Sequence, residues 1–292
     1  MKKINILYYV LCVLLMSSCY EDYAKDYDYS TTYFASQRPL RTVIADRNMQ
    51  IRVGVAIGGK RDVDMNDWVE FEIDPALLAG LEILPKEYYT LSDNNTFRVA
   101  KNTLAVADVA ITFTNAFYED AACAKTHYAL PFKVTSSSLD KVLEGQEYSI
   151  VAVKYISTYH GTYYIKGKVS ELDASGGILN TESYGKADLS KNDTREVSTW
   201  AKDVLLRQGV GNNAIVANEK VKMTFQSDHK VKVETAEGGI EITDGSGTFD
   251  DSGENLEISL KYRYTKSGKK YEVEETLIRR QDPLKDLRYE EW

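Results

Sequence analysis

The feature that most constrains this chain is a two-residue alternation of apolar and polar side chains that sets in near Thr31 and persists almost to the end. Met49, Ile51, Val53, Val55 and Ile57 share one phase, Gln50 and Arg52 take the other, and Gly58-Gly59 stops the run. Successive strand residues point to opposite faces, so this pattern buries one face and wets the other. Residues 69–73, 96–100, 109–113, 128–134 and 148–156 read the same way. Helical periodicity is nearly absent, a short turn around Asp74 to Leu81 being the exception. Strands of this length, separated by polar turns such as Ser92-Asp93-Asn94-Asn95, predict an all-β chain whose residues 35–156 form an immunoglobulin-like antiparallel β-sandwich. Pro131 has no amide proton to donate and is expected at an edge or a bulge.

A second block, residues 157–292, alternates more cleanly. Val221, Met223 and Phe225 lead into the turn Ser227-Asp228-His229-Lys230, and Val231 and Val233 return. Ile240 and Ile242 follow Gly238-Gly239. Leu256, Ile258, Leu260, Tyr262 and Tyr264 then run into Lys266-Ser267-Gly268-Lys269 and a strand from Tyr271 to Ile278. Consecutive hairpins make a meander, which removes its exposed edges by curling into a barrel or a bent sandwich. Gly161-Thr162-Tyr163-Tyr164-Ile165-Lys166-Gly167 is reminiscent of the opening strand of lipocalin-like barrels. Asp282 to Trp292 reads as a tail whose last aromatic packs back on the barrel.

Ahead of both blocks stand Met1-Lys2-Lys3, an apolar stretch from Ile6 to Met16, then Ser17, Ser18 and Cys19. A spanning helix needs about 20 apolar residues, so this shorter stretch reads as a secretory signal over residues 1–18. Met16-Ser17-Ser18-Cys19 resembles a bacterial lipobox, with Met16 where Leu is usual, and the resemblance implies lipidation of Cys19. Residues 19–34, with Glu21, Asp22, Asp26 and Asp28, read as an acidic tether. Acids just after the lipidated cysteine resemble the surface-export signal of Bacteroidota lipoproteins, which implies an outer-membrane protein facing the cell exterior.

Loss of the signal removes Lys2 and Lys3 and no acid, taking the formal charge from −8 to −10. Phosphate backbones demand Lys and Arg contacts, so nucleic acid is not an expected partner. With Cys12 removed and Cys19 lipidated, Cys123 is the one thiol left, and there is no disulfide framework. A mature chain of about 270 residues is comfortable as two domains with packed cores.

Tyr128-Ala129-Leu130-Pro131-Phe132-Lys133-Val134, then Ser136-Ser137-Ser138 and the strand Tyr148 to Tyr155, resemble the signature of domain of unknown function 1735. That domain opens surface lipoproteins of Sus-like polysaccharide-utilisation loci in Bacteroidota. His160-Gly161-Thr162-Tyr163, Gly247-Thr248-Phe249 and the closing Arg288 to Trp292 resemble the C-terminal domain that often accompanies it. The resemblance implies glycan binding at the cell surface, or service as an accessory module beside glycosidases, with a Sus-like transporter complex among its partners.

No catalytic constellation stands out, and none is assigned. His127, His160 and His229 lack partners at metal-ligand spacing, and there is neither a nucleophile elbow nor a phosphate-cradling glycine motif. Asp62-Val63-Asp64-Met65-Asn66-Asp67 imitates the start of a calcium loop, but Asp67 stands where its glycine belongs and Ile73 where its bidentate Glu belongs. It reads as a solvated turn, so no metal and no cofactor are assigned. The 44 acidic residues would supply the carboxylate pair of a glycosidase by chance alone.

Tyrosine is the compositional outlier. Of 21, Tyr8 and Tyr9 lie in the signal and Tyr20, Tyr23, Tyr27, Tyr29 and Tyr33 in or near the tether. Aromatic rings stack on sugar CH faces while a polar tip bonds nearby, although strands favour them for packing alone. Trp68 shares the outward phase with Glu70 and Glu72, Tyr164 shares it with Lys166 and Lys168, and Trp200 adjoins a polar loop. These three are the candidate ligand-binding residues, while Tyr163, in phase with Ile165, is expected in the core. The expected function is a non-catalytic surface lipoprotein that binds oligosaccharide or polysaccharide. A structural or adhesive protein that binds a protein partner is the alternative, and a β-fold glycoside hydrolase a third reading.

Overall fold

The structure, a computed structural model, describes residues 28–292 apart from 48, 61–62, 101–103 and 289. Cys19, the signal, most of the tether and Asp62 lie outside the described residues.

Two sheets account for the strands. The first is built from β1 (Thr31–Tyr33), β2 (Pro39–Ile44), β3 (Gln50–Gly58), β4 (Trp68–Ile73), β5 (Glu82–Ile83) and β6 (Tyr89–Leu91). It continues with β7 (Thr96–Val99), β8 (Val106–Phe113), β9 (Tyr128–Ser137), β10 (Lys141–Val142) and β11 (Tyr148–Ile156). The second holds β12 (Gly161–Leu172), β13 (Ile178–Tyr184), β14 (Thr194–Ala201), β15 (Val204–Gln208) and β16 (Lys220–Phe225). After these come β17 (Lys230–Thr235), β18 (Ile242–Asp250), β19 (Glu257–Lys266) and β20 (Lys269–Arg279), while β21 (Glu290–Glu291) rejoins the first sheet.

The first sheet runs β10-β1-β3-β8-β7-β4-β9-β11-β2-β21 and curls over its own core. Phe71, Phe97 and Phe132 stack and tilt together there, with ring centroids 4.3 to 5.8 Å apart. Two departures from the sequence reading have simple causes. The sandwich is not purely antiparallel, because β2 lies parallel to β11 with Leu40 opposite Ala152. Nor is Pro131 at an edge, for β9 runs between β4 and β11. On the side away from β11, however, β5 pairs only as far as Ala129 and β4 begins at Phe132. The bare nitrogen faces that gap, and the Pro131 carbonyl accepts the Asp74 amide at 2.9 Å. A short helix, Asn115–Glu119, carries Phe117 and Tyr118 into the core; five residues are too few to show a helical period.

The second sheet closes. From β14 each strand pairs with the next as far as β20, and β20 pairs with β12 from Arg279 opposite Tyr163 to Lys270 opposite Leu172. β14 also pairs with the start of β12, which completes an eight-stranded barrel, while β13 branches off the other half of β12. Turn chemistry sets these registers. Ser267 and Gly268, both at positive φ, form the two-residue loop whose twist suits a tight hairpin, and this places Tyr264 opposite Tyr271. His229 takes φ 59° at the end of the four-residue β16-β17 connection. Alternation then fills the interior with Tyr163, Ile165, Val197, Leu205, Val221, Met223, Ile258, Leu260 and Leu277. Burying each such side chain contributes roughly 1.5–3 kcal/mol, and the barrel has a packed centre rather than a hollow one.

The tail does not pack on the barrel as expected. Pro39 and Leu40 of β2 pair with Glu291 and Glu290, the Trp292 indole N–H donates to the Ile150 carbonyl at 2.9 Å, and its ring packs with Leu40, Ala129, Ile150 and Ala152. The apolar patch that needed covering lay on the first sheet, and the alternation of the tail could not show which body it belonged to. The two bodies meet further through Arg47 and Asp282 at 2.8 Å, Asp46 and Lys202 at 3.0 Å, and the Ser157 amide on Thr199 Oγ1 at 2.9 Å.

Candidate functional site at the barrel mouth

β11 and β2 end at the junction with the barrel. β3 runs back from it, and Thr31 pairs with Gly58 at the far end of β3. The chain therefore enters at one pole of the molecule. β12 leads away from the junction and β19 turns into β20 at its far end, so that barrel mouth lies at the opposite pole.

The loop of residues 209–213 plugs this mouth. Arg207, buried on the inner face of β15, donates to the carbonyls of Gln208 at 2.8 Å and Gly211 at 2.7 Å and pairs with Glu275 at 2.7 Å. The Tyr262 hydroxyl donates to Glu275 at 3.2 Å and accepts the Gly211 amide at 2.9 Å. Tyr184 donates to the same carboxylate at 3.0 Å. Burial pushes the Tyr262 and Tyr184 phenols up, and the Glu275 charge adds to it; both stay protonated and able to donate. Room for this network comes from two glycines. A Cβ at Gly167 would meet the Glu274 carbonyl oxygen at 2.3 Å, and one at Gly211 would meet Val169 at 2.8 Å.

Above the plug sits a cavity of about 380 Å³ lined by Glu171, Asn180, Glu182, Asn212, Asn213, Tyr264, Lys266 and Tyr271, among others. That volume falls within the roughly 300–1,000 Å³ of small-molecule sites. Its floor is the Tyr264–Tyr271 pair, with centroids 5.0 Å apart and planes 19° from parallel. Asn213 donates to the Tyr264 hydroxyl at 3.1 Å, Asn212 to Glu182 at 3.1 Å. Lys266 holds Glu219 at 2.6 Å and Lys269 holds Glu171 at 2.8 Å. The walls thus offer amide donors and acceptors and carboxylates beside stacked rings.

A larger groove of about 640 Å³ lies at the junction of the two bodies, lined by Lys154, His160, Glu196, Arg280, Asp286 and Arg288 among others. Burial pushes the His160 imidazole down, and its Nδ1 accepts the Thr199 amide at 3.2 Å. This ring belongs to the junction, and among the described residues no Tyr, Trp or Phe lines the groove.

The three sequence candidates are not brought together. Trp68 heads β4 in the first sheet, half-buried, with its carbonyl accepting the Ser138 amide at 3.0 Å. Tyr164, half-buried, pairs with Thr194 and Ile278 on the barrel wall. Trp200 is 40% exposed at the junction end of β14, and Lys125 of the first body sets its ammonium 4.7 Å from the ring centroid, over a face that a sugar would need. Tyr163 is fully buried. The Asp62–Asp67 turn is not simply solvated: Asp67 is buried and its carboxylate takes the Lys60 ammonium at 2.9 and 3.0 Å. No cluster of three His, Cys, Asp or Glu side chains suited to a metal occurs among the described residues. The cavity residues were missed because Tyr264 and Tyr271 read as ordinary strand aromatics. The signal was available in the Ser267-Gly268 turn, which makes that pair direct cross-strand neighbours.

A family model described only as a "-like, N-terminal domain" matches residues 27–141. No curated protein matches the sequence. A crystal structure of a Bacteroides ovatus protein of unknown function is 21% identical and superposes with a TM-score of 0.73 over 87% of this chain and 95% of that one. It shares the fold, and so large a share takes in both sheets. A multidomain B. ovatus protein that includes DUF1735 is 13% identical over 86% of this chain and 94% of its own, at a TM-score of 0.45. Another B. ovatus protein of unknown function gives 13%, 86%, 94% and 0.47. The chain has an all-β architecture, a curled sandwich followed by a closed barrel.

Proposed function

We propose that this protein is a non-catalytic, glycan-binding lipoprotein of the outer membrane, anchored through Cys19 and facing the cell exterior. One observation carries the reading: the stacked Tyr264–Tyr271 pair floors a cavity walled by Asn180, Asn212, Asn213, Glu171 and Glu182. Sugars present apolar CH faces and a ring of hydroxyls, which such a floor and such walls complement. The pole-to-pole arrangement supports it, since a chain held at its N-terminal end would carry the mouth outward. A Sus-like transporter is the partner that would take up what is held.

The test is affinity electrophoresis of the mature protein through gels containing each of a panel of polysaccharides. Retardation by one of them, abolished in Tyr271→Ala and Asn213→Ala, is expected. Migration unchanged across the panel sinks the reading. A protein-binding role draws on Ile178, Leu179, Ile215 and Val216, which are 46–64% exposed on β13 and the loop after the plug. Polar replacements at Ile178 and Leu179 that leave glycan retardation intact but abolish binding of whole cells to a host protein surface would favour it.

A further inference from the structure

The plugged end of the barrel contains a charge imbalance. Arg207 is 0%, Arg195 6% and Glu275 4% exposed, so two guanidinium groups share this interior with one carboxylate. Glu275 is committed to Arg207. Arg195 has no carboxylate within 4 Å among the described residues; its Nη1 and Nη2 donate to the carbonyls of Thr194 at 2.8 Å and Asn213 at 3.0 Å. Glu219 turns to Lys266, and Asp193 acts on Arg195 only at longer range. A buried charge without a partner is strongly unfavourable, as is a buried N–H without an acceptor. Both defects coincide here, because the Nε–H of Arg195 and that of Arg207 have no acceptor.

The two guanidinium groups also converge on the backbone at Gly209. A Cβ at Gly209 would come no nearer than 3.5 Å to Arg207 Nη1 and 3.7 Å to Arg195 Nε, with the Asn213 carbonyl oxygen at 4.0 Å. Gly209 holds φ at +73°, where a side chain is strained, so only the small groups of a glycine stand between the two arginines at this point.

We propose that the barrel binds one small monovalent anion of halide size beside Gly209, held by the Nε–H of Arg195 and the guanidinium of Arg207. The anion balances the second cation and gives an orphan donor its acceptor. It lies beneath the plug, whose Gly211 and Asn213 carbonyls the same two arginines hold, so that occupancy tightens the loop that carries Asn212 and Asn213. The site is independent of what the cavity above it binds.

Thermal melts of the mature protein in sodium chloride, sodium bromide and sodium gluconate at equal ionic strength test this. Halide is expected to raise Tm saturably by several degrees over gluconate, which is too large for the space. Arg195→Gln is expected to abolish the difference. Because that variant could fail to fold, crystals of the wild-type protein grown in bromide decide the matter. Anomalous density between Arg195 Nε and Arg207 supports the site, and its absence, or a water there, overturns it whatever the melts show.

Discussion

Replacing Glu275 by Gln tests what holds the barrel mouth together. The side chain keeps its shape but loses its charge, leaving Arg207 with side-chain exposure of 0% and no anion at 2.7 Å. Tyr262 and Tyr184, which donate to the two carboxylate oxygens, cannot both be served by an amide whose nitrogen is itself a donor. Removing one member of a buried pair costs about 3–5 kcal/mol, and in a domain of this size each kcal/mol moves Tm by about 3–4 °C. The expected drop is therefore roughly 10–20 °C, read by differential scanning calorimetry. A paired replacement, Arg207→Met with Glu275→Leu, removes both charges and is expected to cost less than the single change, because no orphan charge remains. The plug carbonyl of Gly211 would still lose a donor, so some loss persists. If Glu275→Gln melts within about 2 °C of wild type, the ion pair does not restrain the barrel, and the account of the plug as held by Arg207 and Glu275 fails with it.

Deleting residues 290–292 should loosen the two bodies from one another, since it removes β21, the Trp292 indole bond to Ile150 and the ring's packing on Leu40; faster proteolysis between Ser157 and Gly161 is the readout, and an unchanged digestion pattern contradicts it. Phenols provide a pH test. Burial raises the pKa of Tyr128 and Tyr155 to about 12 and raises those of Tyr163 and Tyr262 further. A raised folded pKa contributes stability that is complete below the unfolded value near 10 and lost as pH climbs through the folded one. Absorbance at 295 nm should therefore show a group of tyrosines that ionise only with unfolding, above about pH 11; a single smooth titration near 10 speaks against it. Lys125→Ala should lower Tm by no more than about 2–4 °C, as an exposed cation–π contact contributes only about 0.5–1 kcal/mol. Labelled palmitate should enter wild-type protein and not Cys19→Ser in growing cells; equal labelling excludes the anchor.

Much of the architecture could be read from the chain because strands and hairpins are local. Alternation from Met49 to Ile57 sets which face of β3 is buried, and Ser267-Gly268 sets the register of ten residue pairs between β19 and β20. Tyr163 declares itself as core by sharing a phase with Ile165. What alternation cannot carry is partnership across long separations. Arg207 meets Glu275 across 68 positions and the Trp292 indole meets Ile150 across 142. Nothing near either residue distinguishes it from an exposed arginine or a frayed aromatic. Trp200 adjoins a polar loop in the sequence, yet the junction sets Lys125 over its ring. Local backbone chemistry thus determined the strands, the turns and the all-β class, whereas closure of the barrel decided which polar side chains were forced out of water together. That closure made a plug, a cavity and an unbalanced pair of arginines from residues that the sequence scatters between Gly167 and Glu275.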